Sequence, residues 1–190
     1  MEQRTTRTRL RSGDPAAFSE LFDEHAQAIY RYAARTTGDW TAADDVVSLT
    51  FLEAWRLRGQ LKPEGDGVGP WLFGIATNVM RNRARAARRH RAALSRLPDR
   101  DPVPDFADEV VGRFEDAEKL AAARAALARL SDTDREIITL CVWAGLDYAG
   151  TAEALGIPVG TVRSRLSRAR TRLRELTETT MHRTFQGEKR

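Results

Sequence analysis

A chain of 190 residues with 42% hydrophobic side chains can bury one ordinary core or two small ones, and 31% charged residues leave it a solvated surface. Its net charge of +4 rests almost wholly on arginine, since Lys62, Lys119 and Lys189 are the only lysines, a usage that suits phosphate or guanine recognition as well as a GC-rich genome. The single cysteine, Cys141, excludes an intrachain disulfide and a thiolate zinc site. The start M-E-Q-R-T-T-R-T-R has no apolar signal core, and the longest apolar run, Ile137 to Leu146, is too short to span a bilayer, so a soluble, cytoplasmic protein is expected.

Taken in order, the elements read as helix almost throughout. After Gly13-Asp14-Pro15, the residues Phe18, Leu21, Phe22, Ile29, Tyr32 and Ala33 recur at helical spacing, with His25 at the edge of the same stripe as a satisfied core-edge histidine. A second helix is predicted over 41–58, with Val47, Phe51, Ala54 and Trp55 on one face. A Gly/Pro-rich loop over 59–70 precedes a third helix that starts at Trp71 and runs into seven arginines between Arg81 and Arg96, unaccompanied by any acid. The next stretch inverts the charge: Leu97 to Glu118 holds eight acids against two arginines, and Leu97 to Glu115, with three prolines, reads as an extended linker. Leu120, Ala123, Leu127 and Leu130 then mark a helix, Ser131 caps another that ends at Gly145, and I-I-T-L-C-V-W-A in that helix is apolar nearly all round, the signature of a buried centre with Cys141 in it.

The last two helices carry the sharpest signal. Tyr148, Thr151, Ala152 and Leu155 share a face of a short helix, Gly156-Ile157-Pro158 makes a turn, and the helix that follows has six arginines between Thr161 and Arg174 and no acid. On a wheel of about 100° per residue, Val159, Val162, Leu166, Ala169 and Leu173 form one apolar stripe. Ser164, Ser167, Arg168 and Thr171 lie opposite, flanked by Arg163, Arg165, Arg170, Arg172 and Arg174. This is a helix-turn-helix whose second helix would enter the DNA major groove. Gly150 and Thr151 in the first of its helices are expected to loosen it, since Gly costs roughly 1 kcal/mol of helix propensity.

With D-D-V-V-S-L-T-F-L-E-A-W-R (Asp44 to Arg56), W-L-F-G-I-A-T-N-V-M-R-N-R-A-R (Trp71 to Arg85), L-S-D-T-D-R-E and I-P-V-G-T-V-R-S-R-L-S-R-A-R in this order, the chain resembles the extracytoplasmic-function (ECF) group of sigma-70-type RNA polymerase sigma factors over about residues 14–176. The resemblance implies an all-α fold of two small helical domains joined by an acidic, Pro-containing linker. Region two would occupy 14–96, the linker 97–116, region four with its helix-turn-helix 117–177, and a flexible tail 178–190.

It further implies core RNA polymerase as partner, through the coiled coil of its largest subunit and its flap, together with promoter DNA and an anti-sigma factor. No cofactor, metal, catalytic residue or membrane insertion is implied. Polymerase binding falls to Asp44, Asp45, Ser48, Leu49 and Arg56, although the two aspartates also suit a helix N-terminus, and Ser48-Leu49 replaces the Gln-Glu of many relatives. Minus-ten DNA falls to Trp71, Asn78, Arg81, Asn82 and Arg85. Trp71, Ile75, Asn78 and Asn82 share a wheel face, and the loop K-P-E-G-D-G-V-G-P before them would meet a base flipped out of that element. Minus-thirty-five DNA falls to Thr161, Arg163, Ser164, Arg165, Ser167, Arg168 and Thr171. An autonomous helix-turn-helix regulator is the alternative reading. An enzyme is disfavoured, because His25, His90 and His182 are scattered and Asp44-Asp45 lacks a metal-binding partner set.

Overall fold

In the computed structural model, the backbone is described for residues 2–64, 67–94 and 125–187, and side chains within those spans for 6–176. The region expected to be the linker, 97–116, lies outside the described residues. Among the described residues, seven α-helices run in the order α1 (Glu2–Ser12), α2 (Pro15–Thr37), α3 (Trp40–Leu57), α4 (Gly69–Leu94), α5 (Asp132–Val142), α6 (Tyr148–Leu155) and α7 (Val159–Gly187), with a 3-10 turn at Arg58–Gln60 and a helical stretch at 125–128. No strand occurs among the described residues.

The boundaries follow from local chemistry. Asp14 caps α2 by accepting from the Ala16 amide, with Pro15 at the first helical position where its missing N–H costs nothing. Asp39 caps α3 through the Ala42 amide, Ser131 caps α5 through the Asp134 amide, and Asp147 caps α6 through the Gly150 amide. Gly156 ends α6 at φ +65, a left-handed conformation that most side chains resist, which makes the tight turn into α7 possible. At the other end α7 continues to Gly187, into the stretch expected to be frayed.

The first body packs α2, α3 and α4 around Leu21, Ile29, Tyr32, Val46, Ala54, Leu72 and Ala76. Fully buried Tyr32 has its hydroxyl pushed up to about 12, chiefly by desolvation, while it hydrogen-bonds Thr77 Oγ1 at 3.0 Å. The second body packs α5, α6 and α7 around Ile137, Ile138, Ala152, Val162, Leu166 and Ala169. Helix α1, not foreseen in the sequence, lays Leu10 into the first core and rests on α2 and the 3-10 turn.

The two bodies touch. Helix α4 is flanked by α6, and a Cβ built on Gly74 would lie 2.6 Å from the Ala154 carbonyl oxygen, so only glycine permits that approach. The all-round apolar character of α5 has the same origin: Ile137 and Ile138 face the second core, whereas Leu140 joins the first. Gly150 is likewise a packing residue rather than a weakness, because a Cβ there would press within 3.1 Å of Pro70 and 3.2 Å of the capping Asp147 carboxylate. Thr151 is fully buried with its hydroxyl 3.3 Å from Cys141 Sγ, which gives the short side chain a partner.

Candidate functional site

Three surfaces carry the residues singled out in the sequence. The first is the outer side of α3. Its inner side, Ala43, Val46, Val47, Thr50 and Ala54, is buried, and Thr50 closes on the Val46 carbonyl at 2.6 Å. The outer side leaves Leu52 57% exposed, Leu49 39% and Trp55 37%, joined by Phe22 of α2 at 47%. Phe22 packs on Phe51 with ring centroids 4.8 Å apart, Phe18 meets Trp55 at 4.7 Å, and the Arg58 guanidinium lies 4.6 Å over the Trp55 ring. Exposed aromatic and aliphatic side chains gathered in one patch mark a docking face.

Asp44, Asp45, Ser48, Leu49 and Arg56 all lie exposed around this patch. Asp45 accepts from Arg83 of α4 at 3.2 Å, and Arg56 pairs with Glu53 at 3.5 Å, both near solvent and weakly held. The sequence pattern placed Phe22 and Trp55 on core stripes. The structure corrects this: the first core is already filled by smaller side chains of α3, so both aromatics sit at its rim, where they extend the patch.

The second surface is α4. Its first half is buried on nearly every side, being sandwiched between α3 and α6, and the shared face expected for Trp71, Ile75, Asn78 and Asn82 is therefore interrupted. Ile75 is a core residue and Trp71 half-buried against the same core, whereas Asn78 and Asn82 are exposed. Asn78 Oδ1 accepts from Arg81 Nη1 at 3.2 Å. Arg81 also forks through Nε and Nη2 onto both carboxylate oxygens of Glu136, a nearly buried residue of α5. That paired hydrogen bond outweighs burial and raises the Arg81 pKa above its ordinary value. Arg85 is free of such a tie and exposed, and with Arg83, Arg88 and Arg91 it lines a groove of about 950 Å³ whose α5 side presents Asp132 and Glu136.

The third surface is the exposed side of α7. Val162, Leu166 and Ala169 are buried and Leu173 half-buried, as the periodicity demanded. Val159 departs from the stripe at 41% exposed, since it begins the helix beyond the end of the core. Arg163, Ser164, Ser167, Arg168 and Thr171 are exposed, and Thr161 is half-buried. Ser164, Arg168 and Thr171 bond back onto carbonyls of their own helix at 3.2, 3.4 and 3.2 Å, bonds that a base or phosphate can replace. Arg165 is the exception, half-buried and paired with Asp134 of α5 at 3.2 Å. Among the described residues no group of three or more His, Cys, Asp or Glu could hold a metal, and no helix is long and apolar enough to cross a membrane.

A helical body with an exposed apolar stripe and an arginine-lined groove, followed by a helix-turn-helix with a bare basic recognition face, defines a two-region transcription-initiation protein of the sigma-70 type. The comparisons agree region by region. Residues 21–90 match the family model for sigma-70 region 2, and residues 120–173 that for sigma-70 region 4. The chain is 38% identical over 160 residues to the ECF RNA polymerase sigma factor SigL of Mycobacterium tuberculosis, covering 82% of this chain and 85% of SigL. Among solved structures it resembles CnrH in complex with the cytosolic domain of CnrY, with a TM-score of 0.67 and 29% identity, covering 94% of this chain and 99% of that one. It also resembles the sigma factor RpoE in complex with the anti-sigma factor NepR from Bartonella quintana, with a TM-score of 0.62 and 27% identity, covering 85% and 96% of the two chains. The chain therefore belongs to the ECF group of sigma-70 RNA polymerase sigma factors.

Proposed function

We propose that the three surfaces divide the work of promoter selection among themselves. The outer side of α3, with Asp44, Asp45, Ser48, Leu49 and Arg56 around Leu52, Trp55 and Phe22, docks on core RNA polymerase. Exposed Asn78, Asn82 and Arg85, and Arg81 once released from Glu136, hold the minus-ten DNA, with Trp71 at the edge of the opened strand. Thr161, Arg163, Ser164, Ser167, Arg168 and Thr171 read the minus-thirty-five element in the major groove, while Arg165 braces α7 on α5 and reaches a phosphate at the edge. The working division is region two over 14–96 with α1 added to it, a linker over 97–116, region four over 117–177 and a tail over 178–190. The protein acts in the cytoplasm without catalytic chemistry of its own. It is restrained by an anti-sigma factor, a reading supported by its likeness to RpoE, whose solved complex holds the anti-sigma factor NepR.

The observation that carries this reading is the coexistence, in one chain, of an apolar face that a solitary DNA-binding protein has no use for and an uncovered Ser/Thr/Arg face on a helix-turn-helix. Pull-down with purified core polymerase tests it. Wild type should be retained, and Leu52→Asp should lose retention while keeping its fold. A Leu52→Asp protein that binds core polymerase like wild type removes α3 from the assignment. A wild type that ignores polymerase yet footprints a discrete operator alone would make the chain an autonomous regulator.

A further inference from the structure

Arg7 is the largest fully buried side chain in the described part of the molecule, with 1% of its side chain exposed. Nothing in the three surfaces uses it. A buried guanidinium is costly unless each of its N–H groups finds an acceptor, and here all do. Nη1 donates to the carbonyls of Lys62 at 2.8 Å and Glu64 at 2.9 Å, Nε donates to the carbonyl of Gly67 at 3.1 Å, and Nη2 donates to the same Gly67 carbonyl and to Glu153 Oε1 of α6 at 3.3 Å. Leu10 and Leu61, both fully buried, belong to the first core, and Arg11 donates to the Leu61 carbonyl.

The three carbonyls belong to the segment between the 3-10 turn and α4. The described residues of that segment form no helix or strand, so the carbonyls of Lys62, Glu64 and Gly67 need partners from elsewhere. Arg7 supplies them from outside, gripping the segment on both flanks and leaving the side chains of Lys62 and Glu64 facing solvent.

We propose that Arg7 is the positioning residue of the minus-ten base-recognition loop, holding its flanks in the shape that meets an extruded base. This inference rests on the reading of the segment before α4 as the part that contacts that base. Extruding a base costs a few kcal/mol, repaid only if the receiving groups are already in place, so a loop held from behind selects better than one that must order itself. A lysine at position 7 keeps the charge but offers a compact ammonium, which cannot fork across three carbonyls.

The test uses full-length protein with core polymerase and a promoter library randomised through the minus-ten element, with transcripts counted by sequencing. Arg7→Gln should flatten the preference at one minus-ten position by about tenfold, with Arg7→Lys intermediate. Minus-thirty-five preferences and polymerase affinity should stay as in wild type. Glu153→Ala, which removes only the acceptor on α6, should leave minus-ten preference intact. A paired Lys62→Ala/Glu64→Ala variant checks the underlying reading. If it shifts minus-ten preference and Arg7→Gln does not, the role given to Arg7 is wrong and the loop reading stands. If neither shifts it, both fall. Hydrogen exchange covers the case of an unstable Arg7→Gln: in folded Arg7→Lys, amides of the loop should exchange about tenfold faster than in wild type, with α2 and α7 unchanged, and equal loop exchange would overturn the inference.

Discussion

Gly74 packs against Ala154 across the junction of the two bodies, and it supplies a test whose sign is decisive. In an open helix Gly→Ala stabilises by about 0.5–1 kcal/mol through backbone entropy. Against an Ala154 carbonyl oxygen at 2.6 Å, overlap dominates instead, and Gly74→Ala should lower unfolding stability in urea by about 1–3 kcal/mol. A more stable Gly74→Ala would mean that α4 and α6 are apart in solution. His25 gives a pH test. Burial lowers its pKa, opposed by Glu24, and its ring packs 3.8 Å from where a Gly69 side chain would begin. The fold therefore prefers the neutral imidazole, and the unfolded chain binds more protons between the folded pKa and the ordinary value near about 6.5. The contribution of neutral His25 is complete above that ordinary value and is lost as pH falls through the window. His25→Gln should flatten the pH dependence of the unfolding midpoint there; an unchanged slope would assign it to other groups. Neither Gly74, Gly150 nor Arg7 was legible in the sequence, because the reason for each is a residue in a distant segment: Ala154, Pro70, and the carbonyls of Lys62, Glu64 and Gly67.

At the level of elements, periodicity predicts burial well where one helix faces one core. The α7 stripe from Val162 to Leu173 and the cap at Ser131 follow from periodicity and side-chain chemistry alone, and the structure reproduces them. It failed where a helix serves two neighbours. Helix α5 looked uniformly buried because its two sides enter different cores, and α3 looked as though it buried Trp55 because an apolar docking face and a core face have the same residue composition. Helix α1 was missed because, apart from Leu10, it offers polar residues, and its anchor is an arginine. Since the α7 face is uncovered, Arg163→Ala with Arg168→Ala should leave thermal stability within about 0.5 kcal/mol of wild type. The pair should also reduce the salt slope of DNA binding by about one to two, one phosphate each. A loss of folding stability would show that these arginines hold the helix rather than read DNA.

On the scale of the whole molecule, the two regions meet through α4, α5 and α6, and the Arg81–Glu136 fork fastens a residue assigned to minus-ten DNA to the other region. On the role proposed for Arg81, that contact and DNA engagement exclude each other, so promoter binding would break the fork to Glu136. Glu136→Gln, which keeps the shape but removes the charge, should cost about 1–3 kcal/mol of stability, discounted for the partial exposure of Arg81, and should raise the affinity of the isolated protein for single-stranded minus-ten DNA. Unaltered affinity would mean that the fork does not guard Arg81. The central claim is that one chain gives core polymerase two separate base-reading surfaces. Transcription by core polymerase from a library randomised at both promoter elements tests it most directly. Wild type should yield transcripts whose templates share two blocks of preferred bases at a fixed spacing, and the Arg163→Ala/Arg168→Ala protein should lose the upstream block alone. Transcripts with no shared upstream block in wild type, or loss of both blocks together in the variant, would contradict the account.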